Sequence, residues 1–182
     1  MRKLGIFFTL LLLAGLGFAF TVVTLSGETT VYIVRHAEKE SSDPKNPDPD
    51  LSVEGKERAK ALAERLRAEK INAAFATKYK RTNQTIAPAA SARGIQIQIY
   101  EASDFKGIAD LIKSKYIKRK VLIAGHSNTV LDLVEALGAE RPVPALTEED
   151  YDFFFELKID RFGKVVLNTQ RYGKEHHKTV LK

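Results

Sequence analysis

Along most of the chain, short apolar runs alternate with longer segments in which apolar residues recur at helical spacing. Short uninterrupted apolar runs are typical of strands covered on both faces. Ile95 to Tyr100 alternates Ile with Gln and predicts a strand with one polar face. The strands predicted in this way are 31–34, 71–76, 95–100 and 121–124, and the helices are 52–69, 81–92, 105–115 and one from near Ser127 to Gly138.

The order of these elements predicts the fold class. Strands and helices alternate from residue 29 to residue 138, which indicates an α/β fold with three layers, a mainly parallel sheet with helices on both faces. Two later strands, 151–159 and 164–169, flank the turn Asp160-Arg161-Phe162-Gly163. They predict a C-terminal antiparallel hairpin at one edge of the sheet.

The first 26 residues differ from the rest of the chain. Arg2 and Lys3 precede a long uncharged run rich in Leu, Phe and Gly. A basic start before an apolar stretch is typical of a signal peptide, for which Gly17-Phe18-Ala19 offers a cleavage site, but the run is also long enough to stay as a membrane anchor. We therefore predict a signal peptide or anchor over 1–26 and one domain over 27–182. The protein would be exported, periplasmic or extracellular, or anchored to the membrane.

Composition narrows the classes of function. The chain has no cysteine, which excludes disulfides, a thiolate nucleophile and cysteine metal sites. From residue 27 onward it has 27 basic and 23 acidic residues, and this net charge of +4 suits a small anionic substrate. Aromatic residues are not interleaved with the basic ones, so we do not expect nucleic acid as a partner.

Polar side chains, most of them basic, follow three of the predicted strands. Arg35 and His36 follow the first strand, Arg81 follows the second, and His126 follows the strand at 121–124. Because the carboxyl ends of parallel strands meet at one edge of a sheet, we expect these four side chains to converge. Arginine forks bind phosphate oxygens, and an imidazole can attack phosphorus. The set therefore predicts a site for phosphoryl transfer.

The chain also contains three motifs in a fixed order: Arg35-His36-Ala37-Glu38, Arg81-Thr82-Asn83-Gln84-Thr85 and Gly125-His126-Ser127-Asn128-Thr129. Leu51-Ser52-x-x-Gly55 lies between the first two. Over about residues 29–160 this ordered set resembles the histidine phosphatase superfamily, also called phosphoglycerate mutase-like. With Ala37, where many relatives have Gly, the chain is similar to the short members that resemble phosphohistidine phosphatases.

The resemblance implies a phosphatase for phosphomonoesters or other phosphoryl compounds that needs neither a metal nor another cofactor. It implies that His36 is the nucleophile that becomes phosphorylated. Arg35, Arg81 and His126 would bind the phosphoryl group and stabilise its transfer. The implied partner is a small phosphorylated substrate.

The proton donor for the leaving group departs from the family pattern. Acid-phosphatase relatives have an Asp directly after the second His, but this chain has Ser127 there. Mutase-like relatives have a carboxylate after the third strand, where Asp104 fits best and Glu101 comes next. Asp104 is also a candidate helix cap. The donor is therefore Asp104, Glu101 or neither.

Other functions compete with the phosphatase. The weak proton donor and the apolar N-terminus favour a catalytically weak protein that binds phosphate or a phospholipid headgroup on the same fold. A mutase is less favoured because the chain is short and its export is predicted. Metal-dependent hydrolysis would need a cluster of histidine and carboxylate ligands that the sequence does not offer. The physiological substrate, which depends on the predicted loops 39–50 and 139–150, and the oligomeric state do not follow from the sequence.

Overall fold

A computed structural model describes residues 27–181, so the signal peptide or anchor predicted over 1–26 lies outside the described residues. Six strands and four helices make up the described part of the chain. Among these residues, no helix has the length and apolar character needed to cross a membrane. In chain order the elements are β1 (Thr29–Arg35), α1 (Val53–Arg65), β2 (Ala73–Ala76), α2 (Lys80–Ser91), β3 (Ile97–Ile99), α3 (Phe105–Lys115), β4 (Lys120–Gly125), α4 (Val130–Ala136), β5 (Phe153–Ile159) and β6 (Val165–Arg171).

The six strands form one mixed sheet in the order β3-β2-β4-β1-β5-β6. β1, β2, β3 and β4 run parallel, β5 is antiparallel to β1, and β6 completes the hairpin at the edge. In this register Arg35 lies opposite Gly125 of β4, and Val34 lies opposite Phe154 of β5. The predicted α/β fold with a C-terminal antiparallel hairpin is confirmed.

Helices cover both faces of the sheet. Val31 and Ile33 of β1 point into a core shared with α3 and α4, whereas Tyr32 and Val34 point into a core shared with α1 and α2. All four side chains are buried. Burying one such side chain stabilises the fold by roughly 1.5–3 kcal/mol relative to leaving it exposed. The two cores thus fix β1 from both sides, and with it the residues that follow its end.

Some boundaries differ from the predicted ones. The predicted helix near Ser127 begins only at Val130, because residues 127–129 form a turn. In this turn the backbone N–H of His126 donates to Thr129 Oγ1 at 2.9 Å, which gives the backbone a partner outside the helix. α4 is therefore seven residues long, and its first turn lies beyond His126 instead of starting next to it.

The motif Leu51-Ser52-x-x-Gly55 is a helix start that also packs on the first motif. Ser52 caps α1 by accepting a hydrogen bond from the Gly55 N–H at 3.1 Å, and the Ser52 N–H donates to the Glu38 carbonyl at 3.0 Å. A Cβ at Gly55 would overlap that same carbonyl oxygen. Glycine at this position therefore lets α1 approach the backbone that follows His36.

Gly55→Ala is expected to lower the free energy of unfolding by roughly 1–3 kcal/mol, because the added methyl group must displace backbone instead of a mobile side chain. Urea unfolding followed by circular dichroism measures the change. Lys56→Ala, at the next and exposed position of α1, is the matched control and should stay within about 0.5 kcal/mol of the unmodified chain. Equal midpoints for both variants would contradict the close approach of α1.

Candidate active site

The ends of β1, β2 and β4 surround one pocket of about 320 Å³. The structure thereby brings His36, Arg81 and His126 together, as their strand-end positions predict. Arg35 is buried beside them and is not among the lining residues. The lining residues are His36, Lys39, Tyr79, Arg81, Ala102, His126, Ser127, Asn128, Thr129 and Glu148.

His36 is held in one tautomer. Its Nδ1 lies 2.8 Å from the carbonyl oxygen of Ala37, which can only accept, so Nδ1 carries the proton and Nε2 keeps its lone pair. Burial lowers the pKa of His36 to about 2, and the positive charges of Arg35 and Arg81 act in the same direction against the hydrogen bond to Ala37. At neutral pH the imidazole is therefore uncharged and can act as a nucleophile through Nε2.

His126 is oriented by a chain of hydroxyl groups that the sequence interpretation missed. Its Nε2 lies 3.0 Å from Thr77 Oγ1, which in turn lies 2.9 Å from Thr82 Oγ1. Burial, followed by the charges of Arg81 and Arg35, lowers the pKa of His126 to about 4. The His36 and His126 rings are 5.4 Å apart between centroids. The two imidazoles thus lie side by side and both are neutral at pH 7.

Arg35 is 1% exposed and is held by the segment that precedes β5. Its Nη1 donates to the Thr147 carbonyl and its Nη2 to Glu148 Oε2, each at 2.7 Å. The guanidinium also lies over the Tyr151 ring at 4.2 Å from the centroid. Among residues 27–181, nothing accepts a hydrogen bond from its buried Nε. Arg35 therefore has a fixed orientation and one N–H donor, at Nε, that is unpaired among these residues.

Arg81, which lines the pocket, also combines an aromatic contact, a carboxylate partner and a donor that is unpaired within residues 27–181. It lies over the Tyr79 ring at 4.3 Å and faces Asp48 of the predicted loop 39–50 at 3.8 Å, so this loop does contact the site. Its Nε is also buried without an acceptor in the described part of the chain. A buried donor without a partner costs roughly 1–3 kcal/mol. Two such guanidinium donors are suited to an anion with several oxygens.

Thr85 couples the two halves of the site. Its Oγ1 accepts a hydrogen bond from the Ala37 N–H at 2.8 Å and donates to the Arg81 carbonyl at 2.6 Å. The side chain is fully buried. The threonine of the second motif thus holds the backbone after His36 against the first turn of α2.

The predicted proton donors do not line this pocket. Asp104 is exposed, and its Oδ1 accepts a hydrogen bond from the Gly107 N–H at 2.8 Å, as the N-cap of α3. Glu101 is exposed as well, and only their neighbour Ala102 is a lining residue. The structure therefore shows a capping role for Asp104, and its role as proton donor stays a prediction.

The carboxylate that does line the pocket is Glu148, which the sequence interpretation did not single out. Its place in the pocket follows from strand pairing and not from a local sequence motif. Because β5 is antiparallel to β1, the residues that enter β5 meet the residues that leave β1. Tyr151 arrives there in the same way, with its ring 6.0 Å from the His36 ring. Within residues 27–181, no three histidine or carboxylate side chains are grouped so that they could hold a metal ion.

Comparison with known proteins bears on the predicted family resemblance. A family model described as histidine phosphatase superfamily (branch 1) matches residues 31–104, which include His36 and Arg81. A search of curated proteins gives no match. The predicted resemblance to this superfamily is confirmed.

Solved structures share the fold. The protein histidine phosphatase SixA, solved with tungstate, has 17% identity and a TM-score of 0.64 over 78% of this chain and 96% of its own. A mycobacterial glucosyl-3-phosphoglycerate phosphatase has 12% identity and a TM-score of 0.61 over 80% and 98%. Bacillus stearothermophilus YhfR has 16% identity and a TM-score of 0.60 over 76% and 95%. At these identities the likeness establishes the fold alone.

The neutral state of His36 predicts a pH dependence of stability. An imidazole in the unfolded chain has a pKa near 6.5, whereas that of folded His36 is about 2, so the unfolded state binds more protons between these values and stability falls as the pH falls. Between pH 7 and pH 5 the unmodified chain should lose roughly 1–2 kcal/mol more than His36→Gln. Urea unfolding at both pH values measures this. Equal losses would show that His36 titrates normally.

Proposed function

We propose that the protein is a phosphatase that hydrolyses phosphomonoesters through a covalent phosphohistidine at His36, without a metal. The match to the histidine phosphatase superfamily supports phosphatase activity in general. The observation that carries the finer proposal is the pairing of a neutral imidazole, whose Nε2 keeps its lone pair, with two guanidinium groups whose buried Nε donors have no acceptor among the described residues. The site thus combines a nucleophile with hydrogen-bond donors for an anion.

The geometry supports a reaction in two steps. Arg35 and Arg81 would bind the equatorial oxygens of the phosphoryl group and balance their charge. His36 Nε2 would attack phosphorus, so that a P–N bond forms while the P–O bond to the leaving group breaks. Water would then attack the phosphohistidine, the P–N bond would break, and inorganic phosphate would leave. His126, oriented by Thr77, would hold a third phosphoryl oxygen.

The pocket favours a small phosphorylated molecule as substrate. Its volume of about 320 Å³ holds a phosphoryl group together with a small leaving group, and Lys39 and Tyr79 line it beside His36, Arg81 and His126. The structural neighbours do not narrow the choice, because a protein histidine phosphatase and a glucosyl-3-phosphoglycerate phosphatase share this fold. Export or membrane anchoring through residues 1–26 stays a prediction, and export would place the substrate outside the cytoplasm.

His36→Ala is expected to lower hydrolysis of 4-nitrophenyl phosphate by the purified full chain at least about 10³-fold, because the covalent route is lost. Mass spectrometry of the unmodified chain quenched during turnover should find an acid-labile phosphoryl group on His36. Turnover should persist in the presence of a chelator.

His177→Ala is the matched control, because the His177 imidazole pairs with Asp152 and is not among the pocket-lining residues. It should retain activity. A folded, unmodified chain that binds inorganic phosphate without turnover would refute the phosphatase proposal and favour the phosphate- or headgroup-binding protein. Activity abolished by the chelator would refute the metal-independent mechanism.

A further inference from the structure

Glu148 is the carboxylate of the pocket that contains both histidines. It reaches the pocket from the segment before β5, whereas Asp104 and Glu101 lie outside the lining. Its side chain is 72% exposed, so it can exchange protons with water. A general acid for a leaving group needs these two properties, access to the reacting group and a route for its proton.

Glu148 bridges the two histidine motifs. Its Oε2 accepts a hydrogen bond at 2.7 Å from Nη2 of Arg35, the residue before His36. Its Oε1 accepts one at 2.6 Å from Oγ of Ser127, the residue after His126. The chain thus brings a carboxylate from a distant loop next to the residue that follows His126.

The backbone that carries Glu148 is fixed in place. Thr147 donates its N–H to Asp150 Oδ2 at 2.6 Å, and its carbonyl accepts from Arg35. Asp150 is fully buried, and its Oδ1 accepts the N–H groups of Lys178 and Thr179, both at 2.9 Å. An anchored backbone on both sides of Glu148 gives the carboxylate a defined position before any substrate binds.

We propose that Glu148 is the general acid that protonates the leaving group, a role that rests on the proposed phosphatase activity. Without a ligand, the hydrogen bond from Ser127 and the charge of Arg35 lower the pKa of Glu148, so the group is ionised. A phosphomonoester that binds as its monoanion brings one proton, and the phosphoryl charge at Arg35 favours its transfer to Glu148.

While His36 Nε2 forms the P–N bond, the P–O bond breaks and the Glu148 proton moves to the leaving oxygen, which departs as an alcohol. The Glu148 carboxylate then takes a proton from the attacking water as the P–N bond breaks, and His36 regains its lone pair. Such a proton transfer contributes typically about 10²–10⁴-fold, and it matters most for poor leaving groups.

The test compares Glu148→Gln with the unmodified full chain on 4-nitrophenyl phosphate and on ethyl phosphate. The ratio of kcat/KM for the aryl ester to that for the alkyl ester should rise at least about 10²-fold in the variant, because only the alkoxide needs a proton to leave. Glu149→Gln removes a neighbouring exposed carboxylate, which pairs with Lys178 at 2.6 Å, and should leave the ratio unchanged.

Three results would overturn the assignment. An equal loss on both esters would restrict Glu148 to holding Arg35 in position. A gain on both esters, with tighter inhibition by inorganic phosphate, would identify the carboxylate as an anion that competes with the substrate. A selective loss on ethyl phosphate in Asp104→Asn but not in Glu148→Gln would return the role to Asp104. No turnover of either ester by the unmodified chain would instead remove the phosphatase activity, and this role with it.

Discussion

The pairing of β1 with β4 on one side and β5 on the other determines what meets at the pocket. The parallel pair brings the end of β1 next to the end of β4, and the backbone hydrogen bond from the His36 N–H to the Gly125 carbonyl, at 2.9 Å, continues this register beyond the strand. The antiparallel pair brings the start of β5 to the same edge. His36, His126 and Glu148 are thus neighbours because of strand direction, although more than 100 residues separate the first from the last.

The arrangement concentrates positive charge, because two arginines lie beside the two imidazoles. Burial favours the neutral form of both imidazoles, and the nearby charges of Arg35 and Arg81 act in the same direction. Carboxylates offset part of the positive charge, with Glu148 at Arg35 and Asp48 at Arg81. A bound phosphoryl group would offset the rest. The arginine charges that add to the effect of burial on His36 therefore also favour binding of an anion.

Local patterns predict the sheet, most helices and the convergence of the basic side chains, because periodicity and strand ends can be recognised within short windows. They do not identify the carboxylate that lines the pocket. Asp104 satisfies a local pattern, but that pattern belongs to a helix cap, as its hydrogen bond to Gly107 shows. Glu148 lies in a loop without periodicity, and its position depends on the pairing of β5 with β1, which a local pattern does not contain. The contact of Thr77 with His126 is also absent from any local pattern, because the two residues are distant in sequence.

Glu38, the last residue of the first motif, has a structural role that extends to the pocket. It accepts hydrogen bonds from Arg58 of α1 at 2.8 Å and from His176 of the C-terminal segment at 2.8 Å, while Arg58 also donates to two carbonyls of that segment. The same segment supplies the N–H groups that Asp150 accepts. Because Glu38 and Arg58 are both largely buried, removing either would leave a charge without its partner. The first motif thus combines a nucleophile, His36, with an anchor for the segment that holds the Glu148 loop in place.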